Sequence, residues 1–497
     1  LLQNTKERST RTQVSGTRYT RSYQMTIKRF FATADNTITN AFDQTLSTRG
    51  TGSNMGASDI LEVFSIYGQA TTTSLEAARI LIQFDTADIL AKRSAGLIPA
   101  SGSVDFYLKL CNAEHSRTLP RDFYMHVTAV SQSWQEGVGI DMDNYTDLTR
   151  TNPGSNWINA SNTQAWTTAG GDYFFDVSSS FVQRFEKGTE NLDINVSPLV
   201  EQWLDGRKQN YGFGIRMSGS YESGDKSYYT KKFFARGSEF FFKRPVLEAR
   251  WYGAIKDDRG YFYASSSLAE ANDNLNTLYL YNRIRGRLKN IPVVGNGNIH
   301  VSLYDSIGGS QIGSTFTGSN VSTGVYRCDV FADTTKTTIH DVWHAGSNQY
   351  HTGTINVKSF KADEQSCDTR YLTTISNLQN YYNKEQTTRF NLYVRPKNWS
   401  PNIYTVASSV PQNYIIVSGA YEIYRIADNY KVIPFGTGSD YHTSLSYDVS
   451  GNYFELDLSM LEDGYDYGIR FAYYDDYLST WQKQSNEFRF KVRKDEY

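Results

Sequence analysis

The chain has 497 residues and a formal net charge of −2, so its length suits about three domains and its charge provides no global field toward nucleic acid. With 37 Tyr, 27 Phe and 37 Gly against 10 Pro, the composition favours strands and turns over helices. Three cysteines, Cys111, Cys328 and Cys367, are too few and too odd in number for a disulfide scaffold. Reduced thiols are the expectation, with a Cys328–Cys367 bridge as the alternative.

Residues 1–24 read as a basic arm. Lys6, Arg8, Arg11, Arg18 and Arg21 stand against the single acid Glu7, with no apolar periodicity to bury. Such an arm either orders on a partner or frays. Leu1-Leu2-Gln3-Asn4 lacks Met and has no signal-peptide pattern, so a processed chain or a fragment is expected. From about residue 25 the chain alternates. Ile80, Ile82 and Phe84 share one face, as do Val104, Phe106, Leu108 and Leu110, and again Phe123, Met125, Val127 and Ala129. Period two with one apolar face predicts half-buried antiparallel strands. Ser197 to Gly206 predicts the one helix, with Ser197 as N-cap, Pro198 at the first position and Leu199, Val200, Trp203 and Leu204 as its apolar stripe. Phe233-Phe234 and Phe240-Phe241-Phe242 put aromatics on both faces of successive predicted strands. Such strands are covered on both sides, by another module or subunit or by the module's own helix and loops.

Polar composition marks 253–275 and 377–387 as linkers. Between them, 276–376 alternates from Leu278-Tyr279-Leu280-Tyr281 onward. After them, 388–497 alternates through Phe390, Phe454, Leu456, Leu458, Met460, Tyr467, Ile469, Phe471, Phe488, Phe490 and Val492. No run of about 18 apolar residues occurs, so no membrane-spanning helix is expected.

Six ordered motifs in 25–252 resemble the DNRLRE-type domain, a β-sandwich also classed among carbohydrate-binding modules. They are Asp35-Asn36-Thr37-Ile38, Ser53-Asn54-Met55-Gly56, Arg79 to Asp85, Trp134-Gln135-Glu136, Val196 to Gly206 with Asn210-Tyr211-Gly212-Phe213, and Phe234 to Glu239 with Arg244-Pro245-Val246-Leu247. Met55 departs from the aromatic of that family. Leu461, Gly464 and Tyr467 have the spacing of a tyrosine corner, so 388–497 resembles a fibronectin type III or immunoglobulin-like domain, with Asp463 where that family has Pro. Residues 276–376 look immunoglobulin-like by strand count and length. The whole order resembles virion proteins of marine contractile-tailed phages, an impression to which Asn274 to Tyr281 and Gly286 to Pro292 contribute.

No phosphate-binding glycine loop or zinc-binding helix motif is present. His340 and His344 fall in a strand context, where i and i+4 lie roughly 13 Å apart, too far for one ion. Trp157 and Trp166, in the irregular segment 137–175, are the candidates for a glycan-stacking platform, whereas Trp134 and Trp203 belong to the core. Asp141, Asp143 and Asp147 suit a structural calcium or form a solvated acidic loop. With Glu136 they also offer a catalytic carboxylate pair, the weakest of these readings. The expectation is an all-β chain of three antiparallel β-sandwich modules in tandem. It is expected to be non-enzymatic, without cofactor, binding neither nucleic acid nor membrane. It is expected to sit in a phage virion at the neck, tail or capsid exterior, contacting other virion proteins as a homo-oligomeric ring or spike and contacting a host surface glycan. A secreted carbohydrate-binding adhesin is the alternative.

Overall fold

The computed structural model describes residues 26–42, 46–68, 75–116, 119–142, 154–359, 370–398, 403 and 413–494. The chain is all-β, built of tandem antiparallel β-sandwich modules, and it divides into two compact units. One comprises Asp257–Phe360; the other joins Gln24–Lys256 to Lys361–Tyr497. The basic arm with Lys6, Arg8, Arg11, Arg18 and Arg21 lies outside the described residues, as does Cys367; Cys111 and Cys328 are free thiols.

In the larger unit, strand Ile27–Thr39 organises the first sandwich. Ile27 to Phe31 pairs with Val246–Arg250, and Ala32 to Thr39 pairs with Leu75–Phe84, with a register shift between Ala32 and Ala34. A shift of this kind bends a strand, so one strand serves two sheets. Beyond Val246–Arg250 lie Asp105–Leu110 and Leu192–Asn195; beyond Leu75–Phe84 lie Phe213–Met217 and Phe123–Val130. The alternating residues point inward as expected: Phe106, Leu108, Leu110, Phe123, Met125, Val127 and Ala129 are all fully buried. Strand Leu75–Phe84 is covered on both faces, because Leu81 and Ala77 pack in a separate cluster with three tryptophans.

There are more helices here than the one expected. Thr86–Ser94 is a helix, capped by Asp85, whose Oδ1 accepts from Ala87 N at 2.8 Å. It buries only Ile89, so its sequence has no apolar stripe to announce it. The expected helix spans Ser197–Leu204 and buries Leu199, Val200, Trp203 and Leu204, but Ser197 is not its cap. The Ser197 hydroxyl instead accepts from Phe106 N at 2.8 Å. A single turn, Gly219–Glu222, is a third.

Both predicted linkers carry contacts of the folded units, and the division between the units falls inside the first, at Lys256 and Asp257. Ile255 N donates to Ser446 Oγ at 3.0 Å and Tyr447 N to Ile255 O at 2.9 Å, so 253–256 extends the last sandwich. Tyr381–Asn383 pairs in parallel with Lys491–Arg493, and Tyr382 is buried in the core of that sandwich. Its core is Phe390, Leu392, Val394, Tyr421, Ile423, Phe454, Leu456, Tyr467, Ile469, Phe471, Phe490 and Val492, and Ile27 of the first sandwich joins it. Tyr467 closes the corner: its hydroxyl donates to Glu462 O at 2.7 Å. Tyr467→Phe removes this one bond from a buried site, and a loss of about 1–3 kcal/mol is expected in urea denaturation.

The smaller unit is a seven-stranded sheet. Its order is Phe262–Tyr263, Asn348–Lys358, Thr338–Ala345, Asn298–Tyr304, Gln311–Ser322, Val325–Val330 and Asn276–Tyr281. Leu278, Ile299, Val301, Leu303, Tyr326, Ile339, Trp343 and Ile355 make its core. Arg259, from the predicted linker, grips fully buried Asp341 with two hydrogen bonds of 2.7 and 2.6 Å, and Trp343 Nε1 donates to the same carboxylate at 2.7 Å. The polar residues of 257–275 are therefore fold residues. His340 and His344 lie on one strand, as read; His344 Nε2 sits 3.1 Å from Ser302 Oγ and His340 Nδ1 3.2 Å from Thr354 Oγ1.

Candidate functional site

Two neighbouring strands of the first sandwich set two arginines side by side. Arg79 lies on Leu75–Phe84 and Arg216 on Phe213–Met217, each one position beyond the paired Ile80 and Ile215. Like charges so close need a counter-ion. Glu222 supplies it, accepting from Arg79 Nε at 3.1 Å and Nη2 at 2.7 Å and lying 3.7 Å from Arg216 Nη1. Tyr173 lies over both, its ring 5.8 Å from the Arg79 guanidinium and 5.7 Å from that of Arg216. That ring sits on the backbone of Gly214, where an added Cβ would fall 2.1 Å from Tyr173 Cε1. At Gly170 the backbone is left-handed, with φ +92°. This conformation aims the Gly170 carbonyl at Arg79 Nη1 (2.7 Å) and at the Tyr173 hydroxyl (2.8 Å).

The result is an open groove of about 440 Å³, with Arg79, Arg216, Tyr173, Phe175, Gln132 and Thr168 among its walls. Phe175 is 63% exposed and stands 4.9 Å from the Arg216 guanidinium. Arg216 Nε is buried without a hydrogen-bond partner among the described residues. Burial, with Arg79 alongside, pulls Arg216 below its ordinary value against the opposing charge of Glu222. The groove's carboxylate, Asp172, is held by the Thr167 and Thr168 amides at 2.7 and 2.8 Å. Guanidinium forks and an exposed aromatic edge can hold a hydroxylated or anionic group.

The residues singled out from sequence fall elsewhere. Trp157 and Trp166 are 9% and 5% exposed, packed with Trp134 against Ile38, Leu81, Val130 and Ala160. Trp166 Nε1 donates to Asn156 O at 2.8 Å and Trp134 Nε1 to Tyr211 O at 2.8 Å. The stacking platform assigned to Trp157 and Trp166 is therefore corrected: an irregular segment has no period by which to tell a buried tryptophan from an exposed one, and these two roof the sandwich. Trp157 contributes indirectly, its ring 5.0 Å from the Arg79 guanidinium. Asp141 is exposed, while Asp143 and Asp147 lie outside the described residues. Among the described residues no group of three or more His, Cys, Asp or Glu could hold a metal. Arg79 stands in a recognised motif; Arg216, Tyr173 and Phe175 stand in none, and Arg216 could have been found as the outward residue between Ile215 and Met217.

The family-like motifs converge on a polar latch. Asp35 Oδ2 accepts from Arg236 N at 2.6 Å, and the Arg236 guanidinium pairs with Glu136 at 2.5 Å. Glu136 Oε1 also accepts from Asp35 N at 2.8 Å. Asn36 and Asn54 tie this cluster to Ser155 O, at 2.8 and 2.7 Å. An added Cβ on Gly56 would meet Glu136 O at 2.2 Å, which accounts for its place in the turn. Glu136 is thus engaged in this latch.

No family model and no curated protein matches the chain. Among solved structures it is similar to the Yersinia pseudotuberculosis adhesin InvE, at 14% identity over 44% of this chain and 54% of that one, with a TM-score of 0.15. The Ig1-2 module of the Drosophila receptor protein tyrosine phosphatase DLAR follows at 7% identity, covering 44% and 91%, TM-score 0.14; a marsupial T cell receptor stands at 9%, 44% and 68%, TM-score 0.15. The chain thus spans about half the length of InvE. TM-scores this low establish no common fold. What the chain's own strands define is a multi-module all-β protein.

Proposed function

We propose that the chain is a non-enzymatic structural component of a tailed-phage virion, at the neck, tail or capsid exterior, acting through contacts with other virion proteins. One observation carries the reading: the first and last sandwiches are fixed to each other as one body. Phe242 stacks on Tyr430 with ring centroids 5.5 Å apart and meets Tyr467 edge-on at 6.4 Å. Arg250 Nη1 donates to Asp440 Oδ2 at 2.8 Å, Lys28 pairs with Asp457, and the Thr26 hydroxyl donates to His442 O. Of the three aromatics only Phe242 is covered by the other module; Phe241 packs on Phe31 of its own sandwich and Phe240 is exposed, and they form a tight turn, Phe241–Lys243, where a strand was expected. A joint of ring stacking and partly buried ion pairs ties the two modules together, which suits a part that transmits shape. The resemblance around Asn274 to Tyr281 and Gly286 to Pro292 supports the phage assignment.

Immunogold electron microscopy, with an antibody to 413–494 on particles of a phage that encodes the chain, tests this. Label at one fixed site on every particle is expected. Absence of label from intact and disrupted particles overturns the reading. The groove at Arg79 and Arg216 favours a second reading, a carbohydrate-binding adhesin. In that case a host polysaccharide raises the melting temperature of the wild type and leaves that of Arg216→Ala unmoved.

A further inference from the structure

Lysine is almost never fully buried, and Lys231 is 0% exposed. It sits on strand Tyr228–Phe234, in phase with core-facing Phe233. Its Nζ lies 2.5 Å from Asn112 Oδ1, 2.8 Å from Gly188 O and 2.8 Å from Glu190 O. The rings of Phe185 and Phe233 flank it, with centroids 5.3 and 5.0 Å away. No salt bridge neutralises it within 4 Å among the described residues. The Glu190 carboxylate nevertheless acts on it electrostatically, and Glu190 Oε2 is buried with no hydrogen-bond partner among those residues.

Asn112 is held in place as firmly as the lysine. It forms a bridge with Phe233, flanked by Phe234 N donating to Cys111 O (3.1 Å) and Ala113 N to Lys232 O (3.0 Å). The Asn112 backbone N–H donates to Asn191 Oδ1 at 2.8 Å. The two side chains therefore meet across adjacent strand ends, the lysine fully buried and the asparagine half-buried.

We propose that Lys231 and Asn112 condense to an intramolecular isopeptide bond, with Glu190 carrying the proton, so that the first sandwich closes its own covalent staple. The Lys231 Nζ lone pair attacks Asn112 Cγ, and the new C–N bond forms as the Cγ–Nδ2 bond breaks. One hydrogen leaves Nζ, passes by way of the Glu190 carboxylate to Nδ2, and ammonia departs. Amide replaces amide, so no oxidant or cofactor is required. The step needs a neutral amine. Burial lowers Lys231 to about 8, against the opposing charge of Glu190, which leaves roughly a tenth of the amine neutral at pH 7. The site also needs reacting groups held at near-attack distance, and Asn112 Cγ lies one bond beyond the oxygen that Nζ already touches. The flanking phenylalanines shield the amine from water.

The full-length chain, purified and shown by circular dichroism to be folded, is weighed intact under denaturing, reducing conditions. A mass lighter than the sequence by one ammonia molecule is expected, with tandem spectra of a tryptic digest giving a branched peptide joined at residues 112 and 231. The full sequence mass in folded protein overturns the proposal and leaves Lys231 as a buried ammonium capped by three oxygens. Asn112→Ala and Lys231→Met should each keep full mass. Glu190→Gln, folded, should form the bond at least about a hundredfold more slowly; an undiminished rate removes Glu190 from the step.

Discussion

Glu248→Ala should destabilise the larger unit by about 3–5 kcal/mol, because it strands buried cations. Glu248 is 1% exposed on strand Val246–Arg250. It accepts from Arg29 Nε at 2.6 Å and from Arg250 at 2.7 Å, with Lys109 Nζ 3.4 Å away. Burial alone would raise its pKa; Arg29, Lys109 and Arg250 outweigh that and hold it well below the usual carboxylate range. Arg29 also donates to Val432 O and Arg250 to Asp440, both in the last sandwich, so this carboxylate anchors the joint between the modules. Urea denaturation is the measurement, and a loss under about 1 kcal/mol would show that the network does not hold the unit together. Replacing Glu248 with Leu and Arg29 with Met together removes one of the three cations as well and should recover part of the loss, since an apolar substitute for a buried pair is often nearly neutral. The pH dependence has a definite sign. A carboxylate with depressed folded pKa contributes stability above its unfolded pKa and loses it as pH falls, so the gap between wild type and variant should close in acid.

How much of this was legible depended on whether a residue's role followed a local period. Phe106, Leu108 and Leu110, or Tyr467, Ile469 and Phe471, alternate, and their burial follows from the alternation. The corner at Tyr467 was legible because its bond spans only five residues, to Glu462. Contacts across long separations were not. The joint links Arg29 to Val432, 403 positions apart, and nothing local to either residue encodes it. The contacts made by the predicted linkers were hidden for a related reason: their polar residues are satisfied inside the fold, as Arg259 is by Asp341, and composition alone cannot separate a satisfied polar residue from a solvated one. The groove was half legible. Arg79 belongs to a motif, but Tyr173 and Phe175 enter from the irregular segment. Lys231 left a signal that was passed over, a cation in phase with Phe233 on the inward face of its strand.

Asp35→Asn should remove a pH dependence of opposite sign. Asp35 is 1% exposed, and burial, reinforced by Glu136 alongside, pushes its carboxyl up to about 7 against the pull of Arg236. A carboxyl whose folded pKa lies above its unfolded value, 3.8, binds its proton more tightly when folded. Its contribution is therefore full below the unfolded pKa and is lost as pH rises through the window from about 4 to about 7. A shift of that size corresponds to a swing on the order of 4 kcal/mol. Asparagine keeps an acceptor for Arg236 N at the same place and carries no charge. Relative to wild type, the variant should gain stability steadily between about pH 4 and pH 7 and level off above. Urea midpoints of both proteins, measured across that range, decide it. Parallel curves would mean that Asp35 is ionised throughout, stabilised by Arg236 despite its burial. Converging stability toward acid would establish that the motif acid of the latch is held protonated by the fold, and that its contribution to the latch grows as pH falls from about 7 to about 4.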